Sequence, residues 1–173
     1  MIDSAGYSPK NLHFGEEGRK KLIKGVTTMS NAVKSTLGPG GNTVLIESVN
    51  HLRGITVTKD GVTVARSIEL LDPVENLAVR MMKEAADQTA TSAGDGTTTA
   101  IVLTESLVLS GLELITDKHN RTEVLRNISE ITTKVVEKLK EKSTDVTDNM
   151  IVDVATISAN NDRSIGTIIA DVY

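Results

Sequence analysis

Apolar side chains recur every three or four residues along most of this chain, and this spacing is the feature that most limits its fold. The first series is Leu22, Val26, Met29, Val33 and Leu37. Side chains at this spacing lie on one face of an α-helix. Because aromatic residues make up only 2% of the 173 residues, the core must be aliphatic. The pattern predicts a mainly helical fold.

Five further stretches show helical spacing. The clearest begins at Asp72-Pro73-Val74-Glu75, where Asp can cap, Pro suits the first helical position and Glu can reach back to the cap. This helix is predicted to run to about Ala93. One side of it carries Leu77, Met81, Ala85 and Thr89.

Two more helices are expected after it. The helix after Gly96 carries Ile101, Leu103, Leu107 and Leu112. The helix from Thr122 carries Leu125, Ile128, Ile131, Val135 and Leu139.

The last two helices are expected near Asn149 to Ile157 and from Ile165 onward. The final stripe, Ile165, Ile168, Ile169 and Val172, is still running at Tyr173 with no stop signal. We therefore expect the helix to continue past the end of this sequence.

Two short segments rich in β-branched residues interrupt the helical pattern. Thr43 to Ser48 and Ile55 to Thr58 are separated by a polar connection containing Gly54. Such a pair predicts a small β-hairpin. It follows "GPGG", residues 38 to 41, which should end the first helix.

Charge and composition disfavour several classes of function. The net charge is −4 and the 19 basic residues are scattered, so nucleic acid and anionic membrane are poor partners. The chain has no cysteine, and His13, His51 and His119 do not have zinc-ligand spacing. Without a targeting segment or an apolar run long enough to span a bilayer, we expect a cytoplasmic protein.

The stretch Gly94-Asp95-Gly96-Thr97-Thr98-Thr99 has the composition of a metal-nucleotide site. A helix N-terminus offers unpaired N–H groups to phosphate, glycine allows close approach, and the threonine hydroxyls add donors. A carboxylate beside phosphate makes sense if Mg²⁺ lies between them. A capped turn between two helices is the commoner origin of an isolated GDGT.

Two other loops strengthen the nucleotide interpretation. "TLGPGG" (residues 36 to 41) is a second glycine-rich loop, and "TKDGVTVA" (residues 58 to 65) places a Lys-Asp-Gly bend between a strand and a helix. Three such loops within about sixty residues can converge on one polyanion. Neither the P-loop nor the Rossmann fingerprint is present. An unrelated kinase-like enzyme would need a catalytic base and a basic phosphate clamp, which we do not find.

In this order the loops resemble those of the group I chaperonins, the bacterial and organellar protein-folding ATPases. The similar stretches are "FGEEGR", "AVKSTLGPGGNTVLIE", "ITVTKDGVTVARSIELLDPVENLA", "AGDGTTTA" and "ATISANND". They cover nearly the whole chain, and "TKDGV" and "TISAN" look like group I rather than group II.

The resemblance implies a multihelical equatorial domain with a small hairpin, followed by the start of the intermediate hinge domain. Residues 1 to 139 would be the N-terminal half of the equatorial ATP-binding domain, and residues 140 to 173 the first, truncated segment of the intermediate domain. The apical domain and the rest of the equatorial domain would lie beyond Tyr173. The hairpin would reach toward a neighbouring subunit.

The resemblance also implies a site for ATP or ADP with Mg²⁺ and K⁺. Asp95 resembles the Mg²⁺ ligand, and Asp60 resembles the catalytic carboxylate near the γ-phosphate. The carbonyls of Thr36 and Lys59 would help to hold K⁺. The remaining nucleotide-binding positions would be Leu37, Gly38, Pro39, Gly61, Gly96, Thr97, Thr98, Thr99 and Ile157.

The implied function is ATP-driven capture, encapsulation and release of unfolded polypeptide by a homo-oligomeric ring, with seven subunits expected and a co-chaperonin lid. Because the family's water-positioning carboxylate and base-binding wall come from later segments, these 173 residues alone should not turn over ATP efficiently. The alternative is a non-catalytic truncated chaperonin fragment that acts as an assembly module.

Two positions depart from the family's pattern. Gly40 and Asn42 stand where the family usually has basic residues, which removes positive charge near the phosphates. "NRTEVLRNISE" also lacks the usual Pro and Gly. These departures are compatible with a divergent or virus-encoded member.

Overall fold

The computed structural model describes residues 10–38, 40–47, 54–159 and 161–172. In these ranges the chain is mainly helical with one small antiparallel sheet, so the predicted fold class is confirmed. The elements are α1 (Gly15–Lys34), β1 (Val44–Glu47), β2 (Ile55–Thr58), α2 (Gly61–Ser67), α3 (Pro73–Ala93), α4 (Thr97–Leu114), α5 (Arg121–Lys142), α6 (Asp148–Ser158) and α7 (Arg163–Val172).

The chain divides into two compact units, Met1–Gly111 and Leu112–Tyr173. The first contains the hairpin and the three glycine-bearing loops, and the second contains α5, α6 and α7. The expected boundary between equatorial and intermediate domains, at residues 139 and 140, stays a prediction.

The core of the first unit forms where α1, α2 and α3 pack together. Its buried side chains are Val26, Met29, Val33, Val64, Ala65, Ala78, Val79, Met82, Ala86 and Ile101. The close approach of α1 to α3 depends on Gly25, because a Cβ there would overlap the Glu75 carbonyl oxygen and lie 3.1 Å from Ala78 Cβ. Full burial of a Val or Met side chain contributes roughly 1.5–3 kcal/mol, so this aliphatic cluster supplies much of the unit's stability.

The start of α3 is capped as predicted, with one difference. Asp72 accepts hydrogen bonds from the N–H groups of Val74 (2.8 Å) and Glu75 (3.2 Å). The Glu75 side chain is buried and accepts from Lys24 Nζ at 2.6 Å instead of reaching back to the cap. A lysine of α1 therefore takes the place of the predicted capping interaction.

The predicted hairpin is confirmed. Its strands pair antiparallel, with Val44 opposite Thr58 and Leu45 opposite Val57. Val44 and Ile46 are half-buried against the core, whereas Leu45 and Val57 are 71% and 63% exposed. One face of the hairpin thus packs on its own unit, and the other face carries apolar side chains in solvent.

Several apolar stripes that the sequence predicts are not buried. On α3, Leu77 and Met81 are exposed and the opposite side packs inward. On α4, Ile101 is buried while Leu103 and Leu107 are exposed. On α5, which the structure describes along its whole length, no side chain is buried.

We expected no membrane span, yet α4 is long and apolar enough to cross a bilayer by length and composition. It is the one such helix in the part of the chain that the structure describes. Its first half is fixed within the first unit, because Ile101 lies in the core and Glu105 bonds to α1. Only 17% of the helix is buried, and one helix of this length and composition is weak evidence for a membrane span.

In the second unit, α6 and α7 pack closely. Gly166 is buried, and a Cβ there would overlap Thr156 Oγ1 and lie 2.7 Å from the Thr156 nitrogen. Ala155 is also buried. Small residues therefore let the two short helices approach each other.

Candidate functional site

The three predicted loops meet at Gly61, the first residue of α2. A Cβ built on Gly61 would overlap Thr98 Oγ1 and lie 3.2 Å from Thr36 Oγ1. Thr98 belongs to the first turn of α4, and Thr36 begins the loop after α1. The hydroxyls of two loops therefore lie against the backbone of the third. Only glycine at position 61 leaves room for them.

The first loop leaves α1 in a tight turn. The Thr36 N–H donates to the Val33 carbonyl at 3.1 Å, and its hydroxyl donates to the same oxygen at 2.7 Å. Gly38 has a φ of +74°, a left-handed conformation that glycine adopts without strain. Gly41 packs against the Thr36 carbonyl so closely that a Cβ would overlap its oxygen. Leu37 is exposed at the outside of this turn, and Pro39 lies outside the described residues.

The second loop is the bend between β2 and α2. Asp60 caps α2, accepting from the N–H groups of Val62 (3.3 Å) and Thr63 (2.8 Å) and from the Thr63 hydroxyl (2.6 Å). Burial alone would raise the pKa of Asp60, but these hydrogen bonds and the nearby Arg66 lower it below its ordinary value. The side chain is thus an ionised cap held at the mouth of the loop. The side chain of Lys59 is exposed beside it.

The third loop joins α3 to α4. Gly94 (φ +75°) ends α3 in the left-handed conformation, and Gly96 (φ +87°) precedes the first turn of α4. Asp95, between them, is exposed, and its Oδ1 accepts from the Gly96 N–H at 2.6 Å. Thr97 is buried, Thr98 half-buried and Thr99 exposed. The loop therefore presents one carboxylate next to the N-terminal end of an 18-residue helix.

One predicted contact lies in the other unit. Ile157 is in α6 and is 68% exposed. Its role against a nucleotide stays a prediction, as do the roles of Asp60, Asp95 and the K⁺-binding carbonyls.

The donors that meet here suit a magnesium nucleotide. Phosphate oxygens are bound by N–H groups at a helix N-terminus and by hydroxyls, and Mg²⁺ prefers carboxylate and other oxygen ligands. The start of α4 provides the first set, and Asp95 provides an exposed carboxylate beside it. Because Gly61 has no Cβ, the three loops lie close enough together to act on one ligand.

The structure adds three residues that the sequence analysis missed. Glu105 of α4 is buried and bonds to Ser30 and Lys34 of α1. A signal was present, because Glu105 follows Ile101 by four residues and so shares its face of the helix. A charged residue in line with a core residue requires a partner, although its spacing does not say which one.

Comparison with known proteins identifies the class. The sequence pattern of the TCP-1/cpn60 chaperonin family matches residues 29–173. The chain belongs to this family, which confirms the resemblance found in the sequence.

Two solved structures are similar to the chain over 92% of its length. Both are crystal structures of the chaperonin gp146 from the bacteriophage EL 2 (Pseudomonas aeruginosa), obtained in the presence of ATP-BeFx in two crystal forms. The TM-scores are 0.79 and 0.76, with 32% and 31% sequence identity. The chain spans 28% of the length of that phage chaperonin.

Proposed function

We propose that this chain provides nucleotide-binding loops of an ATP-dependent protein-folding chaperonin subunit. The loops at Thr36, Gly61 and Thr98 would surround the phosphates of ATP or ADP. Binding and hydrolysis of ATP would then drive the capture, encapsulation and release of unfolded polypeptide in a ring.

The side chains have separate tasks in this proposal. Asp95 would hold Mg²⁺, which when bound neutralises charge on the phosphates. The N–H groups and hydroxyls of Thr97 to Thr99 would orient the phosphate oxygens, and Asp60 would act near the γ-phosphate. The carbonyls of Thr36 and Lys59 would hold K⁺.

The observation that carries the proposal is the convergence at Gly61. Thr36 and Thr98 are 62 positions apart in the sequence, yet both hydroxyls adjoin the same glycine. Ordinary helix-capping turns do not need to meet, whereas loops that hold one polyanion do. The family membership and the similarity to a chaperonin crystallised with ATP-BeFx support the same conclusion.

Replacing Asp95 by Ala tests the proposal in the native full-length protein. We expect Mg-dependent ATP hydrolysis to fall at least about 100-fold, because charge stabilisation by a bound metal is worth several kcal/mol. Steady-state phosphate release measures hydrolysis, and calorimetric titration with Mg-ATP measures binding.

Asp145→Ala is the matched control, since Asp145 is an exposed carboxylate in the connection between α5 and α6. It should hydrolyse ATP at the unsubstituted rate. An Asp95→Ala protein with unchanged hydrolysis and unchanged magnesium dependence would rule out the assigned role of Asp95.

The wider setting follows from the family and belongs to the same proposal. We expect a homo-oligomeric, heptameric ring in the cytoplasm, closed by a co-chaperonin lid and independent of nucleic acid and membrane. The exposed pair Leu45 and Val57 on the hairpin suits contact with a neighbouring subunit. Mass photometry of the native protein measures the number of subunits.

The same exposed hairpin face favours a second candidate, a non-catalytic assembly module. Such a module would join chaperonin rings through the hairpin without using nucleotide. Ring incorporation with no Mg-ATP binding, either alone or in the ring, would favour this alternative over the ATPase.

A further inference from the structure

A buried charge links the two helices whose ends carry the candidate phosphate loops. Glu105 of α4 is only 7% exposed, and its Oε2 accepts from Ser30 Oγ at 2.7 Å and from Lys34 Nζ at 2.9 Å. Ser30 is fully buried, while the Lys34 side chain is 40% exposed. We call this group the α1–α4 clamp.

The carboxylate in the α1–α4 clamp is ionised at neutral pH. Burial raises the pKa of Glu105, but the hydrogen bonds from Ser30 and Lys34 outweigh burial and lower it. A buried carboxylate that loses such partners is strongly destabilised. Glu105 is therefore satisfied only when α4 is placed so that it reaches both residues of α1.

The clamp lies near both loops without belonging to either. Lys34 is the last residue of α1, and Thr36 follows two positions later. Glu105 is eight positions after Thr97, about 12 Å along the helix at 1.5 Å per residue. A shift of α4 relative to α1 would therefore change the distance between the two loops.

Few other contacts fix α4 in this unit. Among the described elements, the α4 backbone does not pack extensively on any other helix or strand. Ile101 reaches the core, and the clamp makes polar bonds from α4 to α1. The α4 N-terminus is therefore held by Ile101 and the clamp, together with the buried Thr97 and with Thr98 beside Gly61.

We infer that Glu105 is a positioning residue which, through Lys34 and Ser30, sets the spacing between the Thr36 loop and the Thr97 to Thr99 loop for nucleotide binding. This inference rests on the proposed function. Apolar side chains in place of a buried ion pair often give a protein that is equally stable or more stable. A charge with two directional bonds instead restricts α4 to one register against α1.

Glu105→Gln tests the inference in the native full-length protein, because it keeps the shape but removes the charge. We expect Mg-ATP to bind roughly tenfold more weakly, since a small misplacement of binding groups weakens their joint action. The KM for ATP should rise by a similar factor while kcat changes less. Glu113→Gln, an exposed carboxylate on the same helix, should leave both values unchanged.

Lys34→Gln provides a second variant in case Glu105→Gln does not fold. Lys34 is partly exposed, and in Lys34→Gln the Ser30 hydroxyl still donates to Glu105, so the buried carboxylate keeps one partner. Its effect on Mg-ATP affinity should have the same direction as that of Glu105→Gln. The double variant should weaken binding by less than the product of the two single effects, because both remove one interaction.

Hydrogen exchange without nucleotide separates this inference from the proposed function. In Glu105→Gln, the hydrogen-bonded amides of residues 100 to 105 and of the loop after α1 should exchange faster than in the unsubstituted protein, and Glu113→Gln should show no change. If the unsubstituted protein binds no Mg-ATP, the proposed function fails while exchange still tests the clamp. Unchanged exchange in folded Glu105→Gln, or in Lys34→Gln should the first not fold, would overturn the positioning role.

Discussion

At Gly61, the absence of a side chain lets the hydroxyls of two threonines from different loops lie close to the same atom. A Cβ there would overlap Thr98 Oγ1 and come within 3.2 Å of Thr36 Oγ1. The requirement concerns space, because Gly61 is not among the glycines with positive φ. Its substitution should therefore act through the two loops that it separates.

Gly61→Ala should destabilise the protein by roughly 1–3 kcal/mol, the usual effect of overpacking a filled space. It should also weaken Mg-ATP binding if the proposed function holds. Chemical denaturation measures the first effect and nucleotide titration the second.

Gly40→Ala is the matched control for stability. Nothing lies within 4 Å of a Cβ at Gly40, so its free energy of unfolding should stay within about 0.5 kcal/mol of the unsubstituted value. Equal stability of Gly61→Ala and the unsubstituted protein would show that the contact with Thr98 relaxes without loss.

Asp72 should make stability depend on acid pH. The hydrogen bond from Lys21 and the α3 N–H bonds lower the pKa of Asp72 from 3.8 to about 2. A lowered folded pKa stabilises the fold above the unfolded pKa, and that contribution is lost as pH falls toward the folded value. We expect Asp72→Ala to melt at a lower temperature than the unsubstituted protein at pH 7.

The difference in melting temperature should narrow below pH 3.8, where Asp72 takes up a proton in the unfolded chain before it does so in the folded protein. Differential scanning calorimetry from pH 7 to pH 3 measures it, with the exposed Asp145→Ala variant as control. A difference that stays constant over this range would contradict the assignment.

At the scale of the element, helix limits were predicted well because capping residues and glycines mark them locally. Asp72 and Gly94 bound α3 almost where expected. The buried face of α3 was not predicted, since the approach of α1 through Gly25 buries Ala78 and the Glu75 side chain. Contacts between helices decide a face, and spacing along one helix does not contain that information.

The candidate site divides in the same way. Each glycine-bearing loop is visible in the sequence, because its residues are adjacent. The α1–α4 clamp is not, because Ser30 and Glu105 are separated by 75 positions. Adjacent residues in the sequence predicted the loops. Only the fold shows the contacts between α1 and α4 that set the distance between them.

The exposed stripe on α5 leads to a prediction about association. Leu125, Ile131 and Leu139 are 66%, 59% and 62% exposed, and contiguous apolar surface favours binding to other apolar surfaces. Residues 1–173 alone should bind a hydrophobic dye and self-associate. Leu125→Ser with Ile131→Ser should reduce both, as measured by dye fluorescence and sedimentation.

Glu130→Ser with Lys134→Ser changes exposed polar positions of the same helix and should leave dye binding and association as they were. A 173-residue chain that is monomeric, melts sharply and binds no dye would contradict the prediction. Retained dye binding in the Leu125 and Ile131 variant would place the exposed apolar surface elsewhere.

At the scale of the whole molecule, the chain combines a helical unit that carries three converging loops with a second unit that carries an unburied helix. It spans 28% of the phage chaperonin that it resembles. The core of the first unit consists of Val, Met, Ala and Ile side chains. This agrees with the aliphatic core predicted from an aromatic content of 2%. Which surfaces stay exposed depends on the arrangement of the helices, so composition did not predict them.

The hairpin and the loop beside Gly61 are mechanically continuous. β2 ends at Thr58, whose hydroxyl accepts the Asp60 N–H at 3.0 Å, and Asp60 in turn caps α2. Only Lys59 separates the end of β2 from the residue that caps α2, so a change in the tilt of the hairpin would be passed to the cap. Any displacement of the strand pair would therefore reach the bend that adjoins Thr36 and Thr98.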